Sequence, residues 1–379
     1  MIVRMKLATP TEGLLTLSDT LNPRLFRMAK AGLGSLGVVT ELTLRCVPSH
    51  KLLEYTFTTP SSALPAKHYE LLSQFRHVRY MWLPYTDKTV VVVSNPTSEE
   101  KGRMDKRDIG RAEKEMLALV NKSRPNSLTT KSPTEDLMNL LLSLRPELTK
   151  SEAQKLSFTQ LRDQLLAIDP LNITLVKKIN NAEALFWERS AGFNTDDSTK
   201  ILGFDCGGEQ WVLEVCFPIG TLAERSGKDL QFVQKLVKLI EDNRVPAPCP
   251  IEQRWTARST SPMSPAFSTK PDEVFSWVGV IMYLPPNEAQ RQAVTEQFRA
   301  YGRLMQPLLD EFGAQVHWAK LEAPAQETDE DKARYASEVS ALQKRVAAKY
   351  PVKEFNEFRD ALDPRRILSN DLIETIFGK

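Results

Sequence analysis

Two residues of opposite charge, Glu252 and Arg254, stand two apart in the segment IEQRWTARSTSPMSPAFS (Ile251–Ser268). In an extended chain the side chains alternate between two faces, so residues two apart point the same way. Ile251, Gln253, Trp255 and Ala257 then share one face, and Glu252, Arg254, Thr256 and Arg258 share the other. A guanidinium offers a rigid fork of donors, while a carboxylate accepts from hydroxyls or takes a proton. Side by side on a polar strand face, the two suit recognition of a small, hydroxyl-rich molecule. On the pattern alone, a surface strand carrying a salt bridge is the commoner case.

Two further constellations carry possible chemistry. His317-Trp318-Ala319-Lys320 reads as part of a strand over Gln315–Leu321, with His317 and Ala319 on one face and Trp318 and Lys320 on the other. Without further context, His317 is a satisfied core histidine and Lys320 a solvated strand-end lysine. Gly32, Gly34 and Gly37 satisfy G-x-G-x-x-G. A dinucleotide fingerprint needs a strand before and a helix after, so that a helix N-terminus meets the pyrophosphate. Here a helix leads in and the β-branched run Val38–Val47 follows, so that reading is rejected. The stretch Gly203–Gly208 reads as architecture, with Asp205 capping a turn. Nothing matches a Ser-His-Asp triad or a paired-carboxylate hydrolase site.

The elements that must position these groups follow from patterning. Ile2–Ala8 and Gly13–Leu17 form a hairpin, and Asn22-Pro23 opens a short helix, Arg24–Lys30. Leu52–Thr58, Val78–Tyr85 and Lys88–Ser94 read as strands, with a helix at Ala66–Phe75. Residues 95–155 form a polar, partly helical excursion with helices at Ile109–Lys122 and Thr134–Leu144. Helices Phe158–Ala167 and Ala182–Ser190 precede strands at Ile201–Asp205 and Gln210–Pro218. Leu230, Val233, Leu236, Val237 and Ile240 stripe the helix Leu230–Asn243. The strand Phe275–Leu284, the long helix Glu288–Phe312 and a charged helix over about Asp329–Lys349 complete the order, before a tail of two short helices.

Composition narrows the classes of function. A chain of 379 residues can hold two domains and bury large cores. Hydrophobic content of 41% and charged content of 26% are ordinary for a globular protein. A formal charge of +2 gives no ground for nucleic acid or an anionic membrane surface as partner. Cys46, Cys206, Cys216 and Cys249 lack C-x-x-C spacing, and His50, His68, His77 and His317 form no metal-ligand pattern, so no metal is expected. No apolar run approaches the roughly 20 residues that span a bilayer, and MIVRMKLATP lacks the apolar core of a signal peptide.

The sequence of Ile251–Ser268 resembles the substrate strand of the plant-type galactonolactone dehydrogenases, relatives of the sugar-1,4-lactone oxidases in the vanillyl-alcohol-oxidase class of flavoproteins. The likeness extends over LFRMAKAGLGSLGVVTELTL (Leu25–Leu44), LSFTQLRDQLLAIDPLN (Leu156–Asn172) and ILGFDCGGEQWVLEVCFP (Ile201–Pro218). It continues through FSWVGVIMYLP (Phe275–Pro285), HWAK (His317–Lys320) and LDPRRILSN (Leu362–Asn370), in the family's order. The resemblance implies an α+β fold: a large antiparallel sheet with flanking helices, the lactone-oxidase cap, plus a remnant of an α+β FAD-binding domain. It implies domains at 1–48 (flavin-binding remnant), 49–345 (cap, with the excursion 95–155) and 346–379 (return to the flavin-binding domain).

The resemblance also implies chemistry: FAD-dependent oxidation of L-galactono-1,4-lactone or a similar aldono-1,4-lactone toward ascorbate, in mitochondria, with FAD held non-covalently. Glu252 and Arg254 match the family's substrate pair. Arg254 anchors lactone oxygens, and Glu252 orients hydroxyls and accepts a proton; Arg258 lies further along the face. Gly32, Gly34 and Gly37 lie against the cofactor, and His317 and Lys320 approach the polar end of the flavin ring. In the family a leader and a complete flavin-binding lobe precede the point that matches Met1. The expectation is therefore that the chain is inactive without that lobe, supplied by a separate N-terminal chain or by an upstream exon absent here. The alternative is a catalytically inactive pseudoenzyme, a structural or assembly partner of mitochondrial respiratory complex I.

Overall fold

A computed structural model describes residues 1–97, 106–120, 131–203, 207–321, 324 and 332–378. The chain divides into two compact units. The first comprises Met1–Pro48, Ala257–Glu273 and Val316–Lys379; the second comprises Ser49–Thr256 and Val274–Gln315. Segments 257–273 and 316–345, read from sequence as part of the second domain, fall in the first unit.

In the first unit, β1 (Ile2–Thr9) and β2 (Gly13–Ser18) form the expected hairpin, closed by the Thr9–Gly13 pair. Thr9 Oγ1 donates to the Gly13 carbonyl at 3.1 Å and accepts from the Glu12 amide, which fixes the turn. A helix Pro23–Ala29 begins with proline, whose missing N–H costs nothing in a first turn. β3 (Val38–Leu44) then pairs antiparallel with β1, giving the order β2-β1-β3. Helices Lys332–Lys349, Val352–Leu362 and Asp371–Phe377 complete the unit. Met5, Leu7, Leu17, Phe26, Met263, Leu342 and Phe355 share its core. Inside it, the buried Arg359 guanidinium is satisfied by Asn356, Ser369 and Glu374.

The second unit holds a large sheet built from β4 (Lys51–Thr59), β5 (His77–Leu83), β6 (Lys88–Pro96), β7 (Gly192–Asp197), β8 (Gln210–Pro218), β9 (Ile251–Ala257), β10 (Val274–Tyr283) and the two-residue β11 (Gln315–Val316). Its order is β11-β8-β10-β9-β5-β6-β4-β7. Valines 90–93 of β6 are all buried, as a central strand covered on both faces requires.

One face of the sheet packs against the helices Lys228–Asp242 and Glu288–Phe312, where Phe217, Phe232 and Phe312 meet with ring centroids 4.7–5.8 Å apart. Among the described residues of this unit, helices cover the opposite face at one end. There Met81, Leu83, Ile281 and Tyr283 lie in clusters with side chains of the helices Glu135–Leu144, Phe158–Leu166 and Ile173–Arg189.

Several sequence expectations are corrected. The strand expected at Ile201–Asp205 is replaced by a short helix, Ser198–Ile201, and the strand lies earlier, at β7, whose polar GFNTDD pairs with β4. Propensity misses such an edge strand, because the partner's ladder selects it. Asp205 and Cys206 lie outside the described residues. The helix expected from Ala182 starts at Ile173, where the Asn172 side chain accepts from the Thr174 and Leu175 amides. The excursion is less solvated than its composition implied: Leu137 and Leu141 are fully buried. Parts of it (98–105 and 121–130) lie outside the described residues.

Beneath β9 runs a buried polar network. His68 Nε2 lies 2.7 Å from Asp229 Oδ2, and its Nδ1 lies 3.1 Å from the Tyr80 hydroxyl. Trp255 Nε1 donates to the same Asp229 oxygen at 2.9 Å. Gln253 Nε2 donates to the Asp229 carbonyl and to Ser276 Oγ, while its Oε1 accepts from Trp82. Burial would raise the Asp229 carboxyl, but hydrogen bonds from His68, Trp255 and the Leu230 amide hold it below its ordinary value. A carboxyl lowered in the folded state stabilises the fold above its unfolded value of about 3.9 and loses that contribution as pH falls through the folded value.

Asp229→Ala strands three donors, those of His68, Trp255 and the Leu230 amide, at about 1–3 kcal/mol each, so a loss of roughly 3 kcal/mol or more is expected by urea denaturation. Asp229→Asn should flatten the loss of stability between neutral and acid pH relative to the unsubstituted protein; an unchanged pH slope would refute the assignment.

Candidate functional site

The open end of the sheet face in the second unit gathers the polar groups. Alternation along β9 places Gln253 and Trp255 in the network below and turns Glu252, Arg254 and Thr256 to the opposite face. Strand alternation predicts this division, and Gln253 is wholly buried while Arg254 is exposed. In register, Met81 of β5 stands opposite Glu252 and Arg79 opposite Arg254. Glu252 therefore sits where the covered end gives way to the open one. Its Oε1 is buried and receives no hydrogen bond among the described residues. A buried carboxylate oxygen without a donor is costly, about 1–3 kcal/mol or more.

Arg254 reaches across β10 to Glu214 of β8, with Nη2 and Oε1 2.7 Å apart. The arginine side chain is 49% exposed and the glutamate 10%, so the carboxylate anchors the guanidinium from within the sheet. Opposite Glu214 in the β8–β10 register stands Gly279, flanked on the same face by Trp277 and Ile281. Trp277 Nε1 donates to Thr256 Oγ1 at 2.9 Å. Further along the face, burial raises the Glu54 carboxyl, opposed by the charge of Arg79.

Glu214, Arg79 and Gly279 are members that sequence reasoning missed. Signals existed: a lone carboxylate inside the apolar run QWVLEVCFP, and a glycine in the middle of FSWVGVIMY, where a strand glycine marks a close approach or an open space. Arg258, expected on the same face, belongs to the first unit, where its amide bonds the Glu273 carbonyl and its Nη1 the Ser268 carbonyl.

The remaining candidates lie in the first unit. The Gln315–Leu321 strand is corrected: pairing stops at Val316, and Trp318–Lys320 forms a 3-10 turn. His317 caps that turn, its Nδ1 accepting from the Ala319 amide at 3.1 Å. A local side-chain cap competes with strand extension, and here it wins. Trp318 Nε1 donates to the Met263 carbonyl at 2.6 Å and its ring lies 4.6 Å from Tyr350. The turn is thus fixed by its tryptophan, with Lys320 half-buried at its end.

The three glycines separate in role. Gly32 fits under the helix end, where an added Cβ would meet Ala29 Cα and Leu36 Cδ1 at 3.3 Å. Gly37, at φ +153°, is pressed on β1, where a Cβ would fall 2.5 Å from Leu7 Cγ and 2.9 Å from the Ala8 carbonyl oxygen. Gly37→Ala should cost roughly 1–3 kcal/mol, seen as a lower melting temperature; an unchanged melt would show that β1 yields freely. Gly34, at φ +76°, has nothing within 4 Å of an added Cβ. Of the three, it alone presents bare backbone that a flat cofactor can approach. Leu33 and Trp318 pack on one core, so this turn and the His317–Lys320 turn share a support.

Among the described residues no three His, Cys, Asp or Glu side chains gather as a metal site, and no helix is long and apolar enough to cross a membrane.

Residues 42–376 match the family described as ALO: D-arabinono-1,4-lactone oxidase. The chain is 46% identical over 378 residues to the mitochondrial L-galactono-1,4-lactone dehydrogenase of Arabidopsis thaliana, covering 99% of this chain and 60% of that protein. A counterpart from Oryza sativa subsp. japonica is 44% identical over 99% of this chain and 61% of its own length. The chain therefore spans about three-fifths of the length of these plant relatives. The L-gulonolactone oxidase of Bos taurus is 23% identical over 99% of this chain and 68% of its own. Among solved structures, a cholesterol oxidase from B. sterolicum superposes with a TM-score of 0.60 at 14% identity, covering 100% of this chain and 69% of that one, which establishes likeness of fold.

Proposed function

The chain belongs to the D-arabinono-1,4-lactone oxidase family, and on that footing we propose that it supplies the substrate sheet of an FAD-dependent enzyme oxidising aldono-1,4-lactones. L-galactono-1,4-lactone is the first candidate substrate, because relatives of that name are 44–46% identical to the chain. The observation that carries the reading is the buried oxygen of Glu252, which has no donor among the described residues, beside a guanidinium pinned on the same face. A polyhydroxylated lactone brings a hydroxyl donor to the first and oxygens that accept from the second.

Arg254, held by Glu214, donates to lactone oxygens and balances negative charge that develops on them. Glu252 Oε1 accepts a hydrogen bond from a ring hydroxyl and takes its proton as that carbon is oxidised. Bound FAD would supply the acceptor for the hydride that leaves the same carbon. In the first unit the bare backbone at Gly34 would lie against the flavin, and Lys320 would offset the charge of its reduced form. His317, committed to capping its turn, orients that segment.

A further part of the flavin-binding domain, in the same polypeptide or as a separate chain, completes the enzyme; without it FAD loses most of its contacts and lactone turnover is absent. Support comes from β3, every residue of which is exposed, with Val38, Val39, Leu42 and Leu44 at 44–55%. Such an apolar edge strand demands a cover. We assign the protein to mitochondria after the relatives so named. A second reading has another protein cover that strand, with the chain an inactive structural partner of respiratory complex I. Native mass spectrometry and a flavin absorbance spectrum on protein purified from its source separate the two. Bound FAD, with lactone-dependent bleaching of the flavin, is the expected result. Absence of flavin together with co-purifying respiratory subunits would sink the enzyme.

A further inference from the structure

Along β10 the open face presents Trp277, Gly279 and Ile281 in turn, so a single position in the row has no side chain. β10 lies between β9 and β8, and the Arg254–Glu214 ion pair spans it. Gly279 is the register partner of Glu214, which places the missing side chain beside that span. A Cβ built on Gly279 would have nothing within 4 Å, and its backbone angles are not of the kind that demand glycine. Neither turn geometry nor crowding therefore accounts for the glycine. An unfilled position in a strand weakens it, by lost packing and by the entropy of glycine. What remains is a notch about one side chain wide. Trp277 and Ile281 bound it along the strand, and a carboxylate and a guanidinium bound it across the strands.

We infer that this notch receives the exocyclic hydroxylated arm of the sugar lactone, making Gly279 the residue that sets how long an arm the site accepts. The inference rests on the proposed lactone chemistry and adds to it the subsite for the part of the substrate outside the ring. The chemistry of the walls suits such an arm. An indole face and an isoleucine pack against its C–H edges, while Glu214 accepts from a hydroxyl and Arg254 donates to one. Glu214 then has two tasks: anchoring Arg254 and reading the arm. Its burial keeps the carboxylate fixed while the exposed arginine closes the other side.

The test is calorimetric binding of three aldono-1,4-lactones to the protein purified from its own host with its flavin-binding portion. The six-carbon lactone carries a two-carbon arm, the five-carbon lactone a one-carbon arm, and the four-carbon lactone none. The unsubstituted protein should bind them in that order of strength. Gly279→Val, which suits a strand, should weaken the six-carbon lactone by about tenfold or more and leave the four-carbon lactone within about twofold. Gly279→Ala, adding one methyl in open space, should show the same ranking with a smaller loss and serves if the valine variant does not fold; melting curves check both. Equal loss for all three lactones, or no loss for the six-carbon one, overturns the notch while the lactone reading stands. No binding of any lactone by the unsubstituted protein overturns the lactone reading and the notch with it.

Discussion

Arg254→Ala should lower lactone affinity by roughly a hundredfold or more, with the loss appearing in Kd and in kcat/KM together. A hydrogen bond to a charged group is worth about 1.5–3 kcal/mol, and a guanidinium commonly makes two, so a loss near 3 kcal/mol corresponds to about two decades. The geometry raises the stake. Arg254 is held on Glu214 at 2.7 Å, so its fork is oriented before a ligand arrives and little entropy is lost on binding. Removing it also leaves Glu214, 10% exposed, facing the site as an unbalanced carboxylate that repels electron-rich lactone oxygens. Arg254→Lys should recover little, since an ammonium is a point charge on a flexible stem and cannot hold Glu214 and a ligand in one plane. Calorimetry with the lactone and steady-state kinetics on the same samples measure both quantities. Near-normal binding by either variant would return Arg254 to the class of surface ion pairs.

The preparation of that arginine draws on both faces of one strand. Gln253 and Trp255 are tied into the Asp229–His68–Ser276–Trp82 network, so β9 cannot slip by one residue without turning Glu252 and Arg254 into the helices. Alternation in IEQRWTA was enough to foresee which side chains share a face, because strand geometry fixes it locally. What lies opposite them was not legible. Glu214 stands 40 residues earlier and Arg79 still further away, and they join the site through strand order and register, which depend on long-range pairing.

The same distinction accounts for the other outcomes. The helix Glu288–Phe312 was readable to the residue, since a 25-residue amphipathic pattern begins at an Asn cap and ends at Gly313. β7 was not, since GFNTDD owes its strand to β4. The His317–Lys320 segment looked extended, but a histidine able to cap the next turn ended the strand at Val316. Gly37 packs on Leu7, a contact 30 residues away that the sequence does not show; it reveals that a glycine is needed but not which neighbour needs it.

Glu252→Gln separates a functional carboxylate from a structural one by moving activity and stability in opposite directions. If Glu252 takes the hydroxyl proton during oxidation, the amide retains size and one acceptor but removes the base, and kcat should fall by about 10²–10⁴ with KM little changed. Stability should hold or rise, by roughly 0.5–2 kcal/mol. The variant no longer buries a carboxylate oxygen that accepts no hydrogen bond among the described residues, and charges kept for catalysis are commonly kept at the expense of the fold. A strand held by a structural salt bridge predicts the reverse, with stability lost and turnover untouched. Urea denaturation and steady-state kinetics on one preparation decide between them, because Oε1 of Glu252 either waits for a hydroxyl or serves the sheet.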